Sequence, residues 1–247
     1  MSRILVPLPD HDFDVTEVSV PWRVLTDAGH EVVFATEAGA VPAADPRLLT
    51  GVLFGKLGAA PDALACYGAL VEDAAFRAPT RWDAIDAAAF DALLLPGGHA
   101  PGMRQYLGSE LLQAKVAAFW ATGKPVAAIC HGVLVLARAK GADGRSVLHG
   151  VETTCLPKYM ERTAFFLTFW KLGRYYRTYP AYVEDEVKGA LADPQADFRR
   201  GPRTLTARGT ADDDGPAFVV ESRGGRYVSA RWPGDAWLLA KRLLALL

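Results

Sequence analysis

Four short segments of this chain are apolar along their length rather than on alternate positions: Arg3–Leu8, His30–Thr36, Asp91–Pro96 and Val126–Ile129. A strand apolar on both faces has to be covered on both. That favours a parallel sheet between two helix layers over an antiparallel sheet with one face in water. The intervening segments supply the helices. In Thr16–Ala28, Val18, Trp22, Val24 and Leu25 recur at helical spacing, and Gly29 ends the run. Ser109–Thr122 has Ser109 as N-cap and Gly123 just past its end, and Gly132–Lys140 forms a further helix. The order is β-α-β…β-α-β-α: an α/β doubly wound parallel sheet sandwiched by helices. Ligands of such sheets bind beyond the carboxyl ends of the strands. Here those ends are the loops after Leu8, Leu95 and Ile129.

The rest of the chain is less regular. A short helix is expected around Asp62–Asp73 and a strand over Val147–Thr153. Leu156–Leu172 is amphipathic and aromatic, and Tyr175–Tyr182 is rich in tyrosine. Ala217–Glu221 and Arg226–Arg231 read as a C-terminal β-hairpin across Gly224-Gly225, followed by a helix over Trp237–Leu247. The 247 residues suit one domain, 1–247, with 46–90 as an insertion and 154–215 as an insertion or cap.

Composition narrows the function classes. A net charge of −1 provides no field for nucleic acid or anionic lipid. The three cysteines, Cys66, Cys130 and Cys155, are far apart and form no CxxC pair, which argues against a disulfide framework or zinc knuckle. The N-terminus lacks the apolar core of a secretory signal. Ala164–Trp170 is far shorter than the roughly 20 residues of a membrane span. The expectation is a cytoplasmic protein with a small-molecule substrate, no nucleic-acid partner and no membrane.

The stretch Pro125–Val135, P-V-A-A-I-C-H-G-V-L-V, puts one cysteine between a strand-type and a helix-type run. Strand, tight turn and helix make a nucleophile elbow, in which the side chain at the turn stands clear of the sheet. Ala128 and Gly132 flank Cys130 at the small-residue positions. A helix N-terminus behind the sulfur would favour the thiolate. The competing reading is a small buried hydrophobe at a strand end. The loop Leu93–Gly102, L-L-L-P-G-G-H-A-P-G, adds backbone N–H groups at close range. Those of Gly98 and His131 could form an oxyanion hole. Gly97 and His99 are candidate pocket residues, and a packed loop histidine is the alternative for His99. Glu17 follows the first strand, with Pro21 four residues on. That spacing suggests a backbone at Glu17 unlike an ordinary helix, and its carboxyl is a candidate acid/base partner for Cys130. A solvated first-turn acid is the alternative. Asp10, His11, Asp12 and Asp14 match no ligand spacing and read as a solvated loop. Cys66 and Cys155 read as structural. No metal site is expected.

Glu17 in T-E-V-S-V-P-W, the loop P-G-G-H-A and the elbow A-I-C-H-G together resemble the ThiJ/PfpI superfamily, whose fold is flavodoxin-like and class I glutamine-amidotransferase-like. The longer insertions resemble its chaperone/glyoxalase III branch. The resemblance implies Cys130 as nucleophile, Glu17 as its acid/base partner, His131 as part of a Cys-His-acid group, no cofactor, and a homodimer. Candidates for the third acid are Glu184, Asp185 and Glu186 in Y-V-E-D-E-V, or Glu161. None of the five histidines begins the His-x-Glu pair of a glutaminase triad, so a glutaminase is not expected. The leading expectation is a cofactor-independent glyoxalase III-like or deglycase-like enzyme taking a 2-oxoaldehyde to a 2-hydroxy acid. The alternatives are a stress chaperone, a redox-sensing cysteine protein, and an amide hydrolase or hydratase of specialised metabolism. The aromatic stripe from Tyr159 to Tyr179 is expected in the core or in a cap over the site, with a dimer or client-binding surface as the third option.

Overall fold

The structure is a computed structural model that describes residues 1–52 and 57–247. Its strands are β1 (Arg3–Pro7), β2 (His11–Phe13), β3 (Glu31–Thr36), β4 (Ala43–Ala44), β5 (Thr80–Arg81), β6 (Ala92–Leu95), β7 (Val126–Ile129), β8 (Val219–Ser222) and β9 (Tyr227–Ala230). Seven of them form one sheet in the order β5-β3-β1-β6-β7-β9-β8, and β2 pairs with β4 apart from it. All neighbours in the large sheet run parallel except the β8–β9 hairpin. The central strands β6 and β7 are buried at every position. This is the continuous apolar pattern satisfied by helices on both faces.

The helices are α1 (Val15–Asp27), α2 (Pro46–Thr50), α3 (Pro61–Leu70), α4 (Ala74–Arg77), α5 (Met103–Gly108), α6 (Glu110–Ala121), α7 (Val133–Arg138), α8 (Lys158–Leu172), α9 (Val183–Ala190) and α10 (Ala236–Leu244). Helix α1 packs on α3 and α10, while α7 packs on α6 and α9. Segment 46–90, whose residues 53–56 lie outside the described residues, supplies α3 and the sheet-edge strand β5.

Three expectations are corrected. Val147–Thr153 is not a strand but a series of turns, closed by bonds such as Val147 N–H to the Ala139 carbonyl and Val151 N–H to the Leu148 carbonyl. Its last residue pairs in a single bridge with Phe198: the Thr153 N–H donates to the Asp197 carbonyl and the Arg199 N–H to the Thr153 carbonyl. Helix α1 continues through Pro21, so Glu17 sits in a regular first turn; the bond that proline cannot donate does not break the helix. The aromatic stripe is divided rather than core: Tyr176 is buried, while Phe166, Phe169 and Trp170 on α8 are at least half exposed.

The C-terminal unit is fastened by a fully buried ion pair. Arg231 donates through Nε and an Nη to both carboxylate oxygens of Asp235, at 2.8 and 2.9 Å. Its other Nη donates to the Pro202 carbonyl at 2.6 Å. Asp235 also accepts from the Phe218 N–H at 2.9 Å. Strand β9, the start of α10 and segment 202–218 are thus tied at one point.

Candidate active site

Strand β7 ends at Ile129 in extended geometry. Cys130 then takes φ +57°, in the left-handed region uncommon for a side-chain-bearing residue. A 3-10 turn, Cys130–Gly132, leads into α7. Gly132 makes this turn feasible. A Cβ at that position would lie 2.1 Å from the Leu95 carbonyl oxygen and 2.6 Å from that of Pro96, both backbone atoms at the end of β6. Gly132→Ala is expected to destabilise the fold by about 3 kcal/mol, at the top of the usual overpacking range. In a melt this would appear as a Tm loss of roughly 6–12 °C, and an unchanged Tm would contradict the geometry.

Asp14 caps α1, its Oδ1 accepting from the N–H groups of Thr16 and Glu17 at 2.8 and 3.1 Å. It is buried, not part of a solvated loop, and burial pushes its pKa up to about 6. The cap fixes Glu17, which is fully buried. Glu17 Oε2 accepts from the Gly97 N–H at 2.8 Å, and Oε1 has no hydrogen-bond partner. A Cβ on Gly97 would lie 2.7 Å from His131 N and 2.9 Å from Glu17 Oε2. Glycine is therefore required where loop 96–102, the elbow and the acid converge. A Cβ on Gly98 would likewise meet the Asp12 carbonyl oxygen at 2.8 Å.

Burial, followed by the neighbouring charge of Asp14, holds the Glu17 carboxyl well above the usual carboxylate range. The Cys130 thiol is also pushed up, first by burial and then by Glu17 and Asp14, while the His131 backbone N–H works the other way. The sequence expectation that a helix N-terminus acidifies the thiol is thus reversed. The sulfur-bearing residue is 2% exposed, and α7 has only six residues. What the site does instead is couple two buried acids, and a protonated Glu17 removes a repelling charge from beside the thiolate.

His131 Nδ1 lies 3.4 Å from Cys130 Sγ, and its Nε2 lies 3.4 Å from Thr178 Oγ1. The Thr178 hydroxyl donates its single hydrogen to the His99 carbonyl at 2.6 Å. Thr178 can therefore only accept from His131. This polarity puts the imidazole proton on Nε2 and leaves the Nδ1 lone pair facing the thiol. Burial, then the nearby His99, Arg138 and Arg177, holds the ring well below the usual histidine range, so it is neutral.

A family model described as ThiJ/PfpI family-like matches residues 8–202. The chain belongs to the ThiJ/PfpI family. An uncharacterised protein of Schizosaccharomyces pombe is 28% identical over 98% of this chain and 82% of its own length. Protein/nucleic acid deglycase 2 of Escherichia coli is 32% identical over 60% of this chain and 70% of its own. Among solved structures, glyoxalase III of Candida albicans superposes with a TM-score of 0.70 over 100% of this chain and 97% of that one, at 18% identity, which speaks for the fold alone.

The ThiJ/PfpI elbow here lacks the expected third acid. Glu184 is held by Lys188 and Arg200 and accepts from the Lys158 N–H. Asp185 pairs with Lys158 and Glu186 with Arg138. Glu161 pairs with Arg177 and accepts from the Val183 N–H. These acids are taken up by cations, Lys158, Arg177, Lys188 and Arg200 of the 154–215 segment and Arg138 of α7, and Thr178 stands where the acid was sought. Nothing in its local sequence, Y-Y-R-T-Y, marks it. The ring of His99 packs edge-on against that of His131, centroids 4.7 Å apart, and its buried Nε2 has no partner. Burial lowers its pKa to about 4. Donor atoms of His99, Cys130 and His131 all lie within 4.8 Å of one another. This is a soft set suited to zinc, although tetrahedral bonds of about 2.0–2.3 Å would require the donors to draw closer. Any ion there would occupy the Cys130 thiol.

Beside His99 and the first turn of α1 lies a cavity of about 550 Å³, bordered by Asp14, Thr16, His99, Tyr176, Arg208 and residues of α8, among others; Glu17, Cys130 and His131 are not among its lining residues. Among the described residues, no helix is long and apolar enough to cross a membrane.

Proposed function

We propose that this protein is a cofactor-independent cysteine enzyme that converts a 2-oxoaldehyde to a 2-hydroxy acid, as glyoxalase III-like and deglycase-like chemistry requires. The observation that carries this reading is the left-handed Cys130, with the His131 Nδ1 lone pair at 3.4 Å and the buried Glu17 carboxyl beside it.

In the proposed reaction, His131 takes the thiol proton and Cys130 Sγ bonds to the aldehyde carbon. The electron pair of the carbonyl moves to oxygen, which the N–H groups of Gly98 and His131 would hold. The imidazolium gives the thiol proton to the oxyanion. The neutral His131 then takes the proton of the hemithioacetal carbon while Glu17 donates to the neighbouring carbonyl oxygen, forming an enediol whose first hydroxyl later returns a proton to Glu17. The proton on His131 passes to that neighbouring carbon, leaving a thioester. Water cleaves the C–S bond, releasing the 2-hydroxy acid and restoring the thiol. The carbon oxidised and the carbon reduced belong to one molecule, so no external redox partner is needed. Glu17 acts in its protonated form, donating to sulfur or oxygen. Three unpaired cysteines suit a reducing, cytoplasmic setting.

The test is 2-hydroxy acid formation from methylglyoxal without glutathione or metal. Glu17→Gln retains a hydrogen-bond donor but cannot move a proton. It is expected to lower kcat by about 10²–10³-fold, within the general acid–base range. Wild-type activity should fall as pH rises through the raised Glu17 pKa, because only the protonated acid donates. In Glu17→Gln that alkaline limb should disappear, and its persistence would remove Glu17 from the role. Client binding is the second reading, favoured by the exposed Phe166, Phe169 and Trp170 of α8. Such binding would survive loss of the Cys130 sulfur.

A further inference from the structure

The cavity beside His99 is much larger than a three-carbon 2-oxoaldehyde needs. Its volume of about 550 Å³ lies within the roughly 300–1,000 Å³ of sites for drug-sized ligands. Liquid water fills about 30 Å³ per molecule, so a three-carbon substrate would leave most of the space to solvent. The chemistry of the wall is uneven. Leu156, Met160, Ala164, Leu205 and Trp232 make much of it apolar. At one end are Asp14, Thr16 and His99. Asp14 and Thr16 belong to the first turn that carries Glu17, and His99 packs on His131. The cavity therefore abuts residues that adjoin the reacting groups, while Glu17, Cys130 and His131 lie buried behind that wall and do not line it. The lining residues Leu167 and Leu205 are each 49% exposed, so the route in is apolar as well.

We infer that the substrate is a carbonyl compound bearing a large apolar group, an aryl ring or an alkyl chain of several carbons, whose body fills this cavity while its carbonyl reaches Cys130. This rests on the assignment of Cys130 as nucleophile. Each methylene moved from water into the cavity adds about fourfold in affinity. Because the walls hold the transition state as well as the substrate, the gain should appear in kcat/KM.

The experiment compares methylglyoxal, longer alkylglyoxals and phenylglyoxal on the wild type, Ala164→Trp and Leu205→Trp. Ala164 is half-buried on the cavity side of α8, and Leu205 stands half exposed in the 202–218 segment. Both indoles would enter the cavity rather than the core, and a thermal melt of each variant verifies folding. In parallel, binding of phenylglyoxal and octanal to Cys130→Ala is followed by tryptophan fluorescence, since Trp232 lines the cavity.

The expected result is a kcat/KM that climbs about fourfold per methylene until the cavity is full. The ratio of phenylglyoxal to methylglyoxal efficiency should then fall at least tenfold in whichever tryptophan variant is folded. Equal or better efficiency on methylglyoxal, with a flat dependence on size, would overturn the inference while leaving the 2-oxoaldehyde reading intact. No turnover of any 2-oxoaldehyde, with saturable octanal binding that a tryptophan variant abolishes, would do the reverse. It would sink the proposed reaction and support the cavity as the apolar substrate site. Absence of both turnover and binding would overturn the inference.

Discussion

Cys130→Ala is expected to lower kcat/KM on a 2-oxoaldehyde by about 10⁴-fold or more, the scale at which covalent catalysis fails when its nucleophile is removed. The fold should tolerate the change. Alanine keeps the Cβ and meets the same left-handed backbone that cysteine already occupies at φ +57°, so the strain is unchanged. Only weak contacts of the sulfur with His131 and with the Glu17 carboxyl are lost. The melting temperature should stay within a few degrees of wild type, which separates lost chemistry from lost structure. Cys66→Ala and Cys155→Ala are the controls. Cys155 is fully buried, with its thiol pushed well up by burial, and the Cys66 thiol is also raised by burial. Neither lies in the elbow, so turnover should persist in both. Substantial turnover by Cys130→Ala would remove the sulfur from the reaction.

Arg231→Met is expected to cause the largest loss of stability, about 3–5 kcal/mol, because it strands the buried Asp235 charge. Arg231 and Asp235 are both 0% exposed. No water replaces the two lost bonds, and the Pro202 carbonyl loses its donor too. For a chain of this length the melting temperature should fall by roughly 6–20 °C. Replacing both partners, Arg231→Met with Asp235→Leu, should be less harmful than the single change, since the stranded charge is gone. The pH dependence has a definite sign. Burial raises the Asp235 pKa, with Arg231 as the main opposing influence. Without Arg231 the folded carboxyl prefers its proton more strongly than the unfolded one does. The variant should therefore lose stability as pH rises from the unfolded carboxylate pKa towards the raised folded value, and regain it in acid. A loss below about 1 kcal/mol would show that the pair does not fasten the C-terminal unit.

Much of the framework was legible in the chain. Continuous apolar runs became β1, β3, β6 and β7 because a strand buried on both faces admits little polarity. Ser109 capped α6 through its bond to the Leu112 N–H, and the glycine pair at 224–225 turned the hairpin with positive φ at both positions. Loop 96–102, Glu17 and the elbow met because parallel strands deliver all three to the same edge of the sheet. The short elements were harder. Val147–Thr153 has strand-type composition, but its backbone groups are taken by turn bonds to Ala139 and Leu148 and by a bridge to Phe198, partners that local sequence does not reveal. Pro21 suggested a broken helix, yet packing of α1 on α3 and α10 outweighs one missing bond.

The site divides in the same way. Local sequence determined which residue turns the corner, since small neighbours and a strand-to-helix transition are properties of a few adjacent residues. It also determined that a carboxyl follows the first strand and a glycine loop the third. Tertiary structure decided the electrostatics and the partners. Ionisation depends on burial and on charges distant in sequence, so a thiol expected to be acidified by a helix end is instead raised by desolvation beside a buried acid. The proton position on His131 depends on the hydroxyl of Thr178, 47 residues away, which is free to serve because the nearby acids are held by cations. The cavity, too, exists only once α8, segment 202–218 and the strand ends close around it, since an enclosed volume belongs to no single segment of the chain.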